Sequence, residues 1–339
     1  MSHTNYIATW FYKENSSEAS YYPQLGRRGD SPLLHSVYMK IQIPFFVTFA
    51  HYNPDARLLF FTNTDQLPPY LMELFAQHNV ELVRLDYHCA PPKGWHSAWT
   101  NQFYLYDILQ YMGKRMEHDD VLLVSDADCI CQRSLAPFFD EVRQKGSGLY
   151  DIYGRDEWEV NGVNGQLMAD IYEGAFGTPP SAPMRYYGGD FIALRGDKVE
   201  AVNEAYRQLW PYNLKRFGDG LPKLNEEAHL MSTLAERLAL GNAVANGYFK
   251  RIWTHPDFNN CQPADRLLTV WHLPYEKRRG LTYLYNMLCH DGYRITDEQQ
   301  FWDKASYYCG VPTVTRRKKL RDLMQKVSDI LFSVRTGIS

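Results

Sequence analysis

Apolar and polar positions along the chain change period several times, and each change marks an element. Asn5 to Tyr12 is a run of β-formers and reads as a first strand. A polar stretch with Gly26, Gly29 and Pro32 reads as a loop, and Leu33 to Ile41 has helical spacing. Arg57 to Asn63 is a second strand. Pro68 to His78 is a helix with proline near its start, Val80 to Leu85 a third strand, and Trp99 to Met112 a further helix. Val121 to Ser125 is a short apolar run with Val near each end, the pattern of a buried fourth strand. This alternation predicts an α/β fold, a Rossmann-like, mostly parallel sheet flanked by helices. Ligands of such sheets bind beyond the carboxyl ends of the strands.

After Asp128 the pattern loosens. Gly146 to Pro183 is rich in Gly and Pro and reads as several loops. Arg185 to Leu194 opens a second structured block. Lys198 to Phe217 and Leu224 to Leu240 read as helices, the latter with Asn225 as N-cap. Thr315 to Arg335 carries Leu320, Leu323, Met324, Val327, Ile330, Leu331 and Val334 at helical spacing. Val311 to Ser339 holds seven basic residues against two acids, a net +5 on a chain whose total is −3. Two readings of this basic amphipathic helix stand open: it packs on the core and shows a solvated basic face, or it lies on an anionic bilayer. The expected division is a catalytic domain over residues 1–312, with halves 1–131 and 132–312, and a terminal helix over 313–339.

Composition narrows the classes. Hydrophobic content of 45% with 22% charged residues is that of an ordinary globular protein rather than a disordered chain. The net charge of −3 gives no reason to expect nucleic acid as the main partner. The six cysteines are scattered without a CxxC pair, which predicts reduced thiols. Met1 to Thr9 lacks the basic-then-apolar pattern of a signal peptide, and no run of 18 apolar residues exists. The expected location is cytoplasmic, with the terminal helix as a candidate peripheral contact to the cytoplasmic membrane face through residues 315–335. Oligomeric state is not readable.

The candidate chemistry starts where the fourth strand ends. Asp126 and Asp128 are separated by one small residue, and in an extended chain residues i and i+2 point to the same side. Two hard oxygen ligands with the rest of the shell free suit Mg²⁺ or Mn²⁺ shared with a substrate phosphate. A solvated turn is the plain alternative. A haloacid-dehalogenase-like phosphatase also uses Asp-x-Asp, but its motif lies near the N-terminus and has Thr or Val where Ile130 stands here. Gly188 and Gly189 precede Asp190, and glycines let the backbone approach a ligand or take positive φ. Asp190 can then meet sugar hydroxyls, or simply cap a tight turn. Glu226 and Glu227 open a helix, where the helix dipole alone favours acids. His272 offers an imidazole ligand with Lys277, Arg278 and Arg279 following; His255 is the competing ligand.

In this order, these stretches resemble the GT-A fold glycosyltransferases. Asp126-Ala127-Asp128, Tyr186 to Asp190 and Asn225 to Leu230 look like motifs of the retaining blood-group A/B and α-1,3-galactosyltransferase family. In the helix motif Asn225 stands for a His, Glu226 for an Asp and Ala228 for a Ser. His272 to Arg278 looks like the late His-x-x-Gly-x-x-Lys motif of the glycogenin-like and bacterial lipopolysaccharide galactosyltransferase family, with Tyr275 at the Gly position. The resemblance covers roughly Asn5 to Gly280. It implies a GT-A fold and a metal-dependent transfer of a sugar from a nucleotide diphosphate sugar, most simply a UDP-sugar, to a glycan or glycolipid hydroxyl in bacterial surface polysaccharide synthesis. It implies Asp126, Asp128 and His272 as ligands of Mn²⁺ or Mg²⁺, and Asp126 and Lys277 toward the donor. Thr9, Trp10, Tyr12, Gly188 and Gly189 would complete the donor site, with Asp190 on sugar hydroxyls. Glu227 matches the carboxylate near the anomeric carbon, and retention is expected because both families retain. A sugar nucleotidyltransferase and a non-catalytic sugar-binding protein remain the alternatives. The first would carry a Gly-rich basic loop, for which only Gly26-Arg27-Arg28-Gly29 qualifies.

Overall fold

The computed structural model describes residues 3–22 and 26–325. Its centre is a six-stranded sheet built from β1 (Asn5–Phe11), β2 (Arg57–Thr62), β3 (Glu81–Arg84), β4 (Val121–Ser125), β6 (Ser147–Asp151) and β7 (Tyr187–Arg195), in the order β3-β2-β1-β4-β7-β6. β1, β2, β3 and β4 are parallel. β7 runs antiparallel to both β4 and β6, so the sheet is mixed and mostly parallel rather than purely parallel. Side chains alternate across it. Ile7, Phe60 and Leu123 enter one core, whereas Tyr6, Ala8, Phe61 and Val124 enter the other. Both faces are therefore apolar, which is why β4 reads as an unbroken hydrophobic run.

Helices cover both faces. One side carries α1 (Pro32–Tyr52), α2 (Pro69–His78), α4 (Ala136–Lys145), α8 (Gly280–His290) and α9 (Glu298–Cys309); the other carries α3 (Tyr104–Gly113), α5 (Gly165–Phe176), α6 (Gly196–Gly218) and α7 (Glu227–Arg237). α1 runs eleven residues beyond the predicted end at Ile41, straight through Pro44. Proline removes one backbone donor, but residues Ile41 to Phe49 are buried on every side, and that packing outweighs the local cost. By length and composition α1 could cross a bilayer; here its apolar residues form core. α5 falls in the stretch expected to be loops. Asn164 caps its start and Gly177, at φ +74°, its finish, while Gly174 lies inside it against Tyr212.

A second, three-stranded sheet stands at the carboxyl edge of the first. β5 (Cys129–Cys131) lies beside β9 (Val270–His272), which lies beside β8 (Phe249–Arg251). The chain passes from the large sheet to the small one through Asp126, Ala127 and Asp128, so this turn joins the two. The junction is pinned from below. Thr48 Oγ1 accepts from Cys131 N at 3.0 Å, and Asn53 Oδ1 accepts from Leu135 N at 2.7 Å while its amide donates to Phe49 O. All six cysteines are free, and Cys129 and Cys131 are core, as expected.

Residues 316–325 are helical, and the remainder of the predicted terminal helix lies outside the described residues. Replacing the buried Asn53 by Ala strands the Leu135 amide, so chemical denaturation of N53A is expected to show a loss of about 1–3 kcal/mol.

Candidate metal and substrate site

Strand register brings the site together. β7 pairs with β4 so that Phe191 faces Ser125, and Asp126 N donates to Asp190 O at 3.1 Å. In the small sheet His272 pairs with Cys129 on one side and Arg251 on the other, and Leu273 N donates to Asp128 O at 2.9 Å. Asp126, Asp128, Asp190, Arg251 and His272 therefore meet at one edge, although as many as 146 positions separate the first from the last. They line a cleft with Thr9, Trp10, Tyr12, Gly189, Glu226, Glu227 and Lys277.

The His272 ring lies between carboxylates. Its Nε2 is 3.2 Å from Asp128 Oδ2 and 3.5 Å from Asp126 Oδ2; its Nδ1 is 3.6 Å from Asp190 Oδ2. Neither nitrogen makes a well-formed hydrogen bond, although the residue is buried. Asp126, Asp190 and His272 offer ligand atoms within 4.8 Å of one another. Asp128 is more closely engaged elsewhere: its Oδ2 accepts from Lys277 Nζ at 2.5 Å. Asp190 accepts two hydrogen bonds from Arg251, at 2.7 Å from Nε and 2.5 Å from Nη2.

Five carboxyl groups line the cleft against two permanent cations and one imidazole. Burial, and then the charge of Asp128, push Asp126 up to about 7. Burial works the same way on Asp128 and Asp190. There it is overcome: Lys277 and His272 hold Asp128 well below the usual carboxylate range, and Arg251 and His272 do so for Asp190. Burial disfavours the imidazolium, but Asp128 and Asp190 lift His272 to about 9. Of the three aspartates, Asp126 is thus the one without a full countercharge. A divalent cation beside it, with His272 and Asp190 or Asp128, would supply that charge and give one of the orphaned ring nitrogens a partner. The residues fit such an ion.

Glu227 begins α7 inside the cleft. Burial, reinforced by the charge of Glu226, raises its carboxyl well above the ordinary value. A Cβ on Gly189 would stand 2.0 Å from Glu227 Oε1, so that glycine is the space the carboxyl occupies. Neither Gly188 nor Gly189 adopts positive φ, so close approach, not a turn, is their use. Asn225 is not the N-cap. Glu226 takes that position, its N–H donating to His229 Nδ1 at 3.2 Å, while Asn225 donates to Asn161 O and accepts from Lys223.

At the other end of the cleft Tyr12 is buried against Tyr87 and Tyr104, its hydroxyl donating to Glu18. Trp10 is half-buried and also lines the cleft. His255 packs on Tyr275 outside the cleft, and Gly29 packs on Glu14. Sequence reasoning missed Arg251, which ends a three-residue strand and carries no motif. It also missed the lining by Tyr38, Trp99 and Trp253.

No family model matches this chain, and no curated protein shows significant similarity to it. Fold and site together define an α/β protein with a mixed, mostly parallel sheet and an acidic, metal-competent cleft at its carboxyl edge.

Burial raises Glu226 to about 7, so the folded state keeps a proton that the unfolded chain releases above about 4.5. Stability from this group is fully present below about 4.5 and falls as pH rises through 7. In chelator, E226Q is expected to melt with wild type near pH 4.5 and several degrees above it near pH 8; equal melting at both pH values contradicts the assignment.

Proposed function

We propose that the protein is a metal-dependent glycosyltransferase of GT-A type. It transfers a sugar from a UDP-sugar to a hydroxyl of a glycan or glycolipid, with retention at the anomeric carbon, in the making of a bacterial surface polysaccharide. The observation that carries this reading is the meeting of Asp126, Asp128, Asp190, Glu227, His272 and Lys277 in one cleft. They come from four separate stretches, and each stretch resembles a motif of nucleotide-sugar enzymes. The β3-β2-β1-β4 order, with the cleft beyond the carboxyl ends of β1 and β4, is further support.

In this reading Trp10 and Thr9 meet the base and ribose, Trp10 being more exposed than the buried Tyr12. Asp126 and His272, with Asp128 or Asp190, would hold Mn²⁺ or Mg²⁺. When bound, the ion supplies positive charge that offsets the negative charge growing on the departing diphosphate. Lys277 is a buried ammonium fixed on Asp128, and it stabilises the same leaving group without having to reorganise. Asp190, clamped by Arg251, is a rigid acceptor for sugar hydroxyls. Glu227 is oriented through its backbone: Tyr106 donates its hydroxyl to Glu227 O at 2.9 Å. Its carboxyl stands at the anomeric carbon, where it acts as nucleophile or stabilises an oxocarbenium-like state during same-face attack.

The reading extends to location. Leu320, Leu323 and Met324 are more than half exposed, beside exposed Arg316, Arg317 and Lys319. This supports peripheral contact of the terminal helix with an anionic cytoplasmic membrane face.

Incubation with a panel of nucleotide sugars and Mn²⁺ is expected to release a nucleoside diphosphate from one donor, and to stop when a chelator is added. Release of pyrophosphate instead means nucleotidyl transfer and sinks the reading. Glu227→Gln is expected to lower kcat by about 10²–10⁴-fold while leaving UDP affinity near the wild-type value; near-normal turnover removes Glu227 from the chemistry.

A further inference from the structure

The helix over residues 316–325 packs the wrong way round for an ordinary surface helix. Its apolar Leu320, Leu323 and Met324 face outward, and its charged Lys318 and Asp322 are buried. Lys318 Nζ is 2.6 Å from Asp322 Oδ2 and 2.8 Å from Glu276 Oε1, and Lys318 and Glu276 are both fully buried. Glu276 also accepts from Thr254 Oγ1, and from Gly280 N at 2.9 Å. Its chain neighbour is Lys277, the ammonium on Asp128. Further along the helix, Gln325 donates to Arg278 O at 2.8 Å, and Arg321 donates to Tyr308 O at 2.8 Å. The helix thus grips the 273–279 loop from behind while the front of that loop faces the cleft.

A buried charge needs its partner; one left alone costs more than the pair gains. Glu276 therefore keeps this backbone path only while Lys318 stays in place. We infer that Lys318 is a positioning residue for Lys277, and that the first turns of the terminal helix are a working part of the cleft. Gly310 fits the same picture: a Cβ there would stand 2.4 Å from Lys318 Cδ. The inference takes from the proposed function only the role of Lys277 at the diphosphate.

The test uses the full chain and the pair E276Q/K318M made together with D322N, so that none of Lys318, Glu276 and Asp322 is left as an unpaired buried charge, beside K318M alone. Lysine acylation followed by mass spectrometry reads the exposure of Lys277, with buried Lys223, which donates to Trp95 O and Asn225, as the internal control. Lys277 is expected to label at least about tenfold faster in the triple variant than in wild type, with Lys223 still protected, because a charge no longer fixes the loop. Equal protection of Lys277 in the triple variant and wild type overturns the inference. So does parallel loss of protection at Lys223, which reports general loosening. If K318M alone fails to fold, the triple variant decides. UDP affinity with Mn²⁺ is read alongside: it is expected to weaken in the triple variant but not further when Lys277→Ala is added. A wild type that binds no UDP counts against the proposed function, while the labelling still decides the role of Lys318.

Discussion

The structure depends on keeping a set of carboxylates buried where two sheets join. Asp126 to Asp128 is the only covalent step from β4 to β5, and both acids look into the same cleft as Asp190 and Glu227. Buried like charges repel strongly, so the surrounding elements supply countercharges: Lys277 for Asp128, Arg251 for Asp190, and His272 between them. Each countercharge comes from a different place in the small sheet or the loop after it. Sheet register, and not any local motif, decides that they meet. The compensation is incomplete at Asp126, and the same imbalance makes the site receptive to a cation.

Rigidity follows from this arrangement. The junction rests on Thr48 and Asn53 of the α1 region, and Phe191 packs against His272 at 5.4 Å between ring centres. Glu227 is fixed by its place at the start of α7 and by the missing side chain of Gly189. Asp190, Arg251 and His272 therefore stand on strands and Glu227 at a helix start, Asp126 and Asp128 lie in the short turn between the two sheets, and Lys277 is on a loop. That loop is the one the terminal helix holds.

Much of this was legible in the sequence, for physical reasons. β1, β2 and β4 are buried on both faces, so their apolar runs are nearly continuous, and Asp126 and Asp128 stand in plain view where β4 ends. Glu227 and His272 were legible through resemblance and could not have been placed by period alone. Other features were hidden. α1 continues through Pro44 because tertiary burial outweighs a local rule. The antiparallel direction of β7 leaves no trace in composition. Arg251 sits in a three-residue strand whose partner, Asp190, is 61 positions away. The buried Lys318 reads in sequence as one more charge in a basic run, because burial depends on Glu276, 42 positions earlier.

The most direct measurement is Mn²⁺ binding by calorimetry to wild type, D126N and H272Q, each checked for unchanged circular dichroism. Wild type is expected to take up one ion per chain, and both variants to lose most of that binding while remaining folded. Mn²⁺ uptake that neither substitution alters would contradict the assignment of this cleft as a metal site.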